Sequence, residues 1–179
     1  RRLLERGGAW LGVVWRLEVR AIASGAVGEQ WLYAKAHTLG TGPAAWQASR
    51  AAARVAPRFG APIDYLPAQE LVVWAVPNDP ALVRLPTFLD GRALIGHLPP
   101  GLDPDPSTRV RAKIVRPEPE EHCTARFEAL RDGHVKVFYG KCFGDGRWRD
   151  ARDGLDMLWL QGARDRQAFL VGQPLGTSP

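Results

Sequence analysis

The dipeptide Asp132-Gly133 constrains the fold of this chain most strongly, because it separates two apolar-rich runs of strand type. The runs are 123–130, "CTARFEAL", and 135–143, "VKVFYGKCF". An Asp-Gly pair between two such runs is a strong signal for a two-residue hairpin turn. We therefore predict an antiparallel β-hairpin, and a turn at this dipeptide fixes its register.

The predicted register sorts the side chains of the hairpin onto two faces, since neighbouring residues of a strand point to opposite sides. The core face carries three opposed pairs: Cys123–Cys142, Ala125–Gly140 and Phe127–Phe138. The other face is polar and carries the pairs Thr124–Lys141, Arg126–Tyr139 and Glu128–Val137. We predict that the two cysteines are buried thiols, with a disulfide as the alternative. A register shift of one residue would exchange the two faces.

Lys141 lies inside the apolar run "VFYGKCF" (137–143), and Lys35 occupies a similar place in "WLYAKA" (31–36). Removing an ammonium group from water is costly unless an anion meets it. One interpretation is therefore that each lysine contacts an anion on a cleft face. The alternative is a lysine that reaches the solvent from a half-exposed edge strand.

The two lysines belong to two stretches of similar organisation, and the fold class predicted from them is α+β with two similar antiparallel-sheet-plus-helix units. The first unit, at 1–83, has predicted strands at 13–22, 31–39 and 70–76, a turn at 24–30 and a helix at 44–55. The second unit, at 109–179, has predicted strands at 109–117, 123–130 and 135–143 and a helix at 148–169, and is incomplete at its C-terminus. The repetition has two alternative explanations, duplication of one unit or chance similarity of two α+β segments.

Between the two predicted units lies a proline-rich connector, residues 84–108, with at most one short helix near 92–97. The helix predicted after the hairpin places Leu155, Leu158 and Trp159 on one face. These assignments give three segments: a first unit, a connector and a second unit.

The charge pattern favours a mildly basic surface over a nucleic-acid groove. The net charge is +5 and the 24 basic residues are spread along the chain among acids, so binding to nucleic acid is not expected. No stretch approaches the roughly 20 apolar residues of a membrane span, and we expect a cytoplasmic protein without a membrane partner. Two cysteines and four histidines do not form a metal-ligand pattern, so no metal site is predicted in the chain.

Three stretches resemble, in order and spacing, the N-terminal lobe of the aminoglycoside phosphotransferase-like kinases, a superfamily that includes the maltokinases. They are "IVRPEPEEHCTARFEAL" (114–130), "VFYGKCFGDGR" (137–147) and "ARDGLDMLW" (151–159). The resemblance extends from Val110 to about Gly176 and implies a protein-kinase-like N-terminal lobe. "ELVVWAVPNDP" (70–80) resembles the strand and hinge of such a lobe, which implies that the first unit is a related lobe or a cap.

The resemblance also implies roles for particular residues in binding ATP. Lys141 is similar to the third-strand lysine that contacts the phosphates, and Asp153 to the helix acid that holds this lysine. Asp150 and Asp156 are the alternatives for that acid. The turn that begins at Arg116 (116–122) would cover the triphosphate, and Thr124 faces Lys141 in the predicted register.

The sequence departs from the kinase pattern at several of these places. Asp153 is shorter than the usual glutamate, and the covering turn lacks Gly-x-Gly-x-x-Gly. Tyr139 is bulky where protein kinases keep a small residue. No His-Gly-Asp catalytic loop occurs in the sequence, so we predict no catalytic residue here and no phosphate transfer by these 179 residues alone.

The leading functional hypothesis is therefore the N-terminal part, cap plus nucleotide-binding lobe, of an ATP-dependent small-molecule phosphotransferase. ATP with Mg²⁺ and an unknown small-molecule acceptor would be bound only in an intact protein, with a C-terminal lobe or a partner protein completing the site. The alternative is a non-catalytic α+β binding or assembly module. Its partner surface would include exposed tryptophans: Trp10, Trp15 and Trp46.

Overall fold

The computed structural model describes residues 2–6, 10–20, 25, 27–52, 55–95, 107–144 and 146–164. Their contacts divide the chain into two compact units. Unit 1 comprises the described residues between Arg1 and Pro86 together with Pro117–Glu120, and unit 2 comprises those in Thr87–Arg116 and Glu121–Pro179. Both units contain an antiparallel sheet and helices, which confirms the predicted α+β class.

Unit 1 is built on a five-stranded sheet. Its strands are β1 (Arg2–Arg6), β2 (Trp10–Arg20), β3 (Val27–Ala36), β4 (Ile63–Leu66) and β5 (Leu71–Ala75). They lie in the order β1-β2-β3-β5-β4, and each neighbouring pair is antiparallel. Helix α1 (Gly42–Ala52) packs against β4 and β5, and a 3-10 helix (Pro67–Gln69) joins these two strands.

The predicted elements of unit 1 are present with shifted limits. The predicted turn at 24–30 is wrong in its second half, because β3 already begins at Val27 and pairs there with Arg20. Strands β1 and β4 were not predicted. The end of the predicted helix, residues 53 and 54, lies outside the described residues.

The core of unit 1 lies on one side of the sheet. Tyr33 and Trp74 are 1% and 3% exposed, and their rings stack with centroids 5.1 Å apart. Val14, Ile63 and Val72 complete the buried cluster. Trp46 packs against this cluster and is half-buried, so its side chain belongs to the core rather than to an exposed partner surface.

Unit 2 contains a three-stranded sheet followed by a helix. The strands β6 (Arg109–Glu118), β7 (His122–Arg131) and β8 (His134–Phe143) lie in chain order, and helix α4 (Trp148–Arg164) follows. Two short helices, α2 (Leu85–Leu89) and α3 (Gly91–Leu94), precede β6, where the sequence predicted at most one. Residues 96–106 of the predicted connector and 165–169 of the predicted helix lie outside the described residues.

The register of the β7–β8 hairpin is the predicted one, with Cys123 opposite Cys142 and Thr124 opposite Lys141. Asp132 and Gly133 have φ angles of 48° and 76°, as a two-residue turn of this type requires. The two cysteines are buried free thiols, which confirms the prediction.

The core face of the hairpin is closed by aromatic rings. Phe127 is 1% exposed and stacks on Phe138, with the ring centroids 5.1 Å apart. Phe88 of α2 meets the Phe127 ring edge-on at 5.2 Å. Because this face is filled, the opposite face of the hairpin is the one that remains available to a ligand.

Candidate functional site

Lys141 lies on the exposed face of β8, directly opposite Thr124 of β7. Its Nζ atom is 4.9 Å from the centre of the Phe143 ring, two residues farther along the same face. No carboxylate among the described residues lies within ion-pair distance of this ammonium group. A lysine in this state presents three N–H donors to a ligand.

Another cation on the same face is already neutralised. Arg126 forms an ion pair with Glu128, two residues away on the same strand. The hydrogen bond with Glu128 raises the pKa of Arg126, and Tyr139 adds a smaller contribution in the same direction. The face therefore combines a compensated Arg126–Glu128 pair with an uncompensated Lys141.

None of the three aspartates that were predicted as the acid for Lys141, all of them described residues of α4, forms an ion pair with it. Asp153 and Asp150 are exposed on α4. Asp156 is held by Arg152 one turn earlier, with 2.8 Å between Nε and Oδ2. The structure thus brings Thr124 and Lys141 together, and the pairing of Lys141 with Asp153 stays a prediction.

Arg116, the other residue assigned to the phosphates, lies on β6 and is exposed. It belongs to unit 2, as Thr124 and Lys141 do. Its proposed role in covering the triphosphate also stays a prediction.

A second polar cluster lies in unit 1 and centres on Lys35 of β3. The Nζ atom of Lys35 is 2.9 Å and 3.1 Å from the two carboxylate oxygens of Glu120. The hydroxyl of Tyr33 donates to the same carboxylate at 3.3 Å. Sequence reasoning anticipated an anion beside this lysine but did not identify Glu120, which is 85 residues away in the chain.

Asp79 holds the backbone of Glu120. Its carboxylate accepts the backbone N–H groups of Ala81, Leu82 and Glu120, each at 2.9 Å. Burial raises the pKa of Asp79, while these three hydrogen bonds act in the opposite direction. A half-buried carboxylate that accepts three backbone N–H groups fixes the position of the loop around it.

Glu70 supports the start of helix α1 next to this cluster. Its carboxylate accepts the backbone N–H of Gly42 at 2.9 Å, where a negative charge is favourable at a helix N-terminus. A backbone hydrogen bond from Gly40 lowers the pKa of Glu70 most, and Gly42 and Tyr65 lower it further. Glu70 therefore acts as a capping group for α1 from the neighbouring strand segment.

His37 follows β3 and is half-buried, with one ring nitrogen that lacks a hydrogen-bond partner among the described residues. Its backbone N–H donates to the carbonyl of Glu70 at 2.9 Å, but its Nε2 atom is buried and has no hydrogen-bond partner among the described residues. Burial lowers the pKa of His37, and the nearby charge of Lys35 lowers it further. His37 is thus favoured in its neutral form.

A cavity of about 40 Å³ lies in unit 1 and is lined by residues that include Ile63, Trp74, Asn78 and Asp79. A volume of this size accommodates one or two water molecules. Pockets that bind nucleotides and other cofactors are several hundred Å³. This cavity is therefore too small to bind a nucleotide.

Within the described part of the chain, no three His, Cys, Asp or Glu side chains are grouped so that they could hold a metal ion. Nor does any helix described there have the length and apolar character needed to cross a bilayer. The chain matches no family model, no curated protein and no solved structure.

Proposed function

We propose that this chain is the nucleotide-holding N-terminal part of an ATP-dependent small-molecule phosphotransferase of kinase-like fold. In this proposal unit 2 holds the phosphates of ATP through Lys141. The general base and the Mg²⁺ ligands come from a lobe outside these 179 residues, so the chain alone transfers no phosphate.

The observation that carries the proposal is the position of Lys141 in unit 2. It lies on the open face of the third strand of a sheet whose strands follow chain order, and helix α4 follows that strand directly. Kinases place their phosphate-binding lysine on a third strand that precedes a helix. In unit 2 the likeness that supports the proposal is one of chain order, a lysine on the third strand followed by a helix.

The side chains on this face suit a phosphate group chemically. The Lys141 ammonium has no described carboxylate to neutralise it, and the Thr124 hydroxyl lies on the directly opposed residue. Side chains of opposed residues start about 5 Å apart, so both can contact one phosphate. Lys35 is already bound to Glu120, which favours a cap role for unit 1 in this proposal.

The test is the affinity of the chain for ATP, measured by titration calorimetry for the unmodified chain, Lys141→Ala and Lys136→Ala. Lys136 is the matched control, because it is an exposed lysine on the same strand but on the opposite face. A hydrogen bond to a charged group contributes about 1.5–3 kcal/mol, so Lys141→Ala should weaken binding by about tenfold or more. Lys136→Ala should leave the affinity unchanged. Equal affinity of Lys141→Ala and the unmodified chain would contradict the proposal.

A second candidate function, an assembly module, is favoured by the exposure of apolar side chains on α4. Met157, Leu158 and Leu160 are 71%, 47% and 59% exposed, and neighbouring exposed apolar side chains are typical of protein-binding surfaces. Light scattering across a concentration series distinguishes the two functions. A module would associate through α4, lose this association in Leu158→Glu, and bind no ATP.

A further inference from the structure

Unit 1 contains a set of anion-binding donors that is occupied by the chain itself. Lys35 and Tyr33 are two residues apart on β3, so their side chains share one face. Together they donate three hydrogen bonds to the Glu120 carboxylate, two from the ammonium and one from the phenol. Such a cation and hydroxyl pair would recognise any oxyanion of similar size.

The backbone of Glu120 is held in an unusual conformation to reach these donors. Its φ angle is 63°, in the left-handed region that is unfavourable for residues with a Cβ atom. The hydrogen bond from its backbone N–H to the half-buried Asp79 keeps it there. The contact therefore depends on a specific anchor rather than on a side chain that happens to lie nearby.

The contact is also accessible to the solvent. The side chains of Lys35 and Glu120 are 20% and 19% exposed, so water and small solutes can reach the ion pair. A fully buried pair would exclude an outside competitor, whereas a partly exposed pair admits one.

We propose that Lys35 and Tyr33 form an oxyanion-binding site in unit 1, and that Glu120 is its tethered occupant. A phosphate-type oxyanion takes the same donors when the Glu120 side chain rotates away from them, while the Glu120 backbone stays bound to Asp79. The Glu120 carboxylate is thus an internal competitor that keeps the site closed. This site is separate from Lys141 and does not depend on the function proposed for unit 2.

The experiment is thermal unfolding in sodium phosphate and in sodium chloride of equal ionic strength, for the unmodified chain, Glu120→Ala and the double variant Lys35→Ala/Glu120→Ala. Phosphate must displace the charged hydrogen bonds that Glu120 makes with Lys35 and Tyr33, so removing this competitor should tighten phosphate binding by about tenfold or more. Glu120→Ala should therefore gain melting temperature from phosphate, beyond any gain of the unmodified chain. The double variant should lose this additional gain.

The control is Glu29→Ala, which removes the same charge from an exposed position on β3 and should respond as the unmodified chain does. If Glu120→Ala does not fold, Glu120→Gln replaces it in both the single and the double variant, since the amide preserves the side-chain volume and the backbone bond to Asp79. Equal phosphate responses of the folded Glu120 variant and the double variant would overturn the proposal.

A measurement on the unmodified chain applies even if neither variant folds. The chain has four lysines, so ¹⁵N spectra of the side-chain ammonium groups can be assigned to single residues. Increasing concentrations of phosphate should shift the Lys35 signal as phosphate displaces Glu120 from the lysine. A Lys35 signal that stays fixed in the folded chain would also overturn the proposal.

Discussion

Asp79 is a residue whose carboxylate organises the backbone around it. Three N–H groups converge on it, from Ala81, Leu82 and Glu120. We predict that Asp79→Ala lowers the free energy of unfolding by about 3 kcal/mol, because several backbone donors lose their acceptor in a buried setting. Urea unfolding measures this change. Asp64→Ala, at an exposed position of β4, should cost under about 0.5 kcal/mol, and equal losses in both variants would refute the role of Asp79.

His37 makes the stability of the chain depend on pH. Burial lowers its pKa in the folded state below the ordinary value of 6.5, so protons bind the unfolded chain first. The stability contributed by neutral His37 is complete above pH 6.5 and is lost as the pH falls toward the lowered pKa. We predict that the unmodified chain loses stability over this window relative to His37→Gln.

The measurement is the free energy of unfolding in urea from pH 8 to about pH 5, compared between the two chains at each pH. Asp79 changes the free energy of unfolding in the opposite direction, because its raised pKa favours the protonated, folded form as the pH falls. Its contribution cancels in the comparison, since both chains contain it. His134→Gln, at an exposed position of β8, is the control. If the free energy of unfolding changes with pH in the same way for His37→Gln and the unmodified chain, the prediction is wrong.

At the scale of elements, the β7–β8 hairpin could be predicted because its turn residues and its apolar side chains indicate the same strand register. Asp132 and Gly133 both adopt positive φ angles, which this dipeptide tolerates. The alternative register would have buried Lys141 and exposed Phe127. The turn residues and the burial of the apolar face thus select one register.

Strand β4 and helix α2 could not be predicted in the same way, and helix α3 was anticipated only as a short helix near 92–97. β4 has only four residues in a proline-rich stretch, and it is stabilised by pairing with β5. Helix α2 tolerates Pro86 because a proline in the first turn disrupts no helical hydrogen bond. Helix α3 depends on the Asp90 side chain, which accepts the N–H of Arg92 at 2.9 Å. These elements depend on single contacts that periodicity does not reveal.

Two glycines of unit 2, Gly140 and Gly154, should respond in opposite directions to alanine. A Cβ atom at Gly140 would lie 2.9 Å from the Phe127 ring and 3.1 Å from the Phe88 ring, so Gly140→Ala should cost about 1–3 kcal/mol by overpacking. A Cβ atom at Gly154 of α4 meets nothing within 4 Å, and Gly154→Ala should stabilise the helix by about 1 kcal/mol. Thermal unfolding compares the two, and a stabilising Gly140→Ala would contradict the described packing.

At the scale of the whole molecule, two similar sequence motifs have different surroundings. Each unit has a third strand with the pattern Tyr-small-Lys, followed by a helix. In unit 1, Tyr33 is 1% exposed and Lys35 binds Glu120. In unit 2, Tyr139 is 64% exposed, and Lys141 has no described carboxylate partner.

An anion beside Lys35 could be anticipated from the sequence, because a strand lysine among apolar residues is costly without one. Lys141 is instead exposed to the solvent, which is the alternative that the sequence left open. The identity of Glu120 could not be anticipated, since the pairing joins residues 85 positions apart. It depends on the backbone contact to Asp79, which only the folded chain shows. Long-range polar pairs of this kind leave no periodic signal in a sequence.

The most direct test of the proposed function follows the side-chain ammonium signals of the four lysines by ¹⁵N NMR while ATP is added to the unmodified chain. We expect the Lys141 signal to shift in a saturable manner at ATP concentrations that leave the Lys35 and Lys136 signals in place. Saturable binding of ATP with an unmoved Lys141 signal, or no saturable shift at any lysine, would contradict the assignment of unit 2 as a nucleotide-holding lobe.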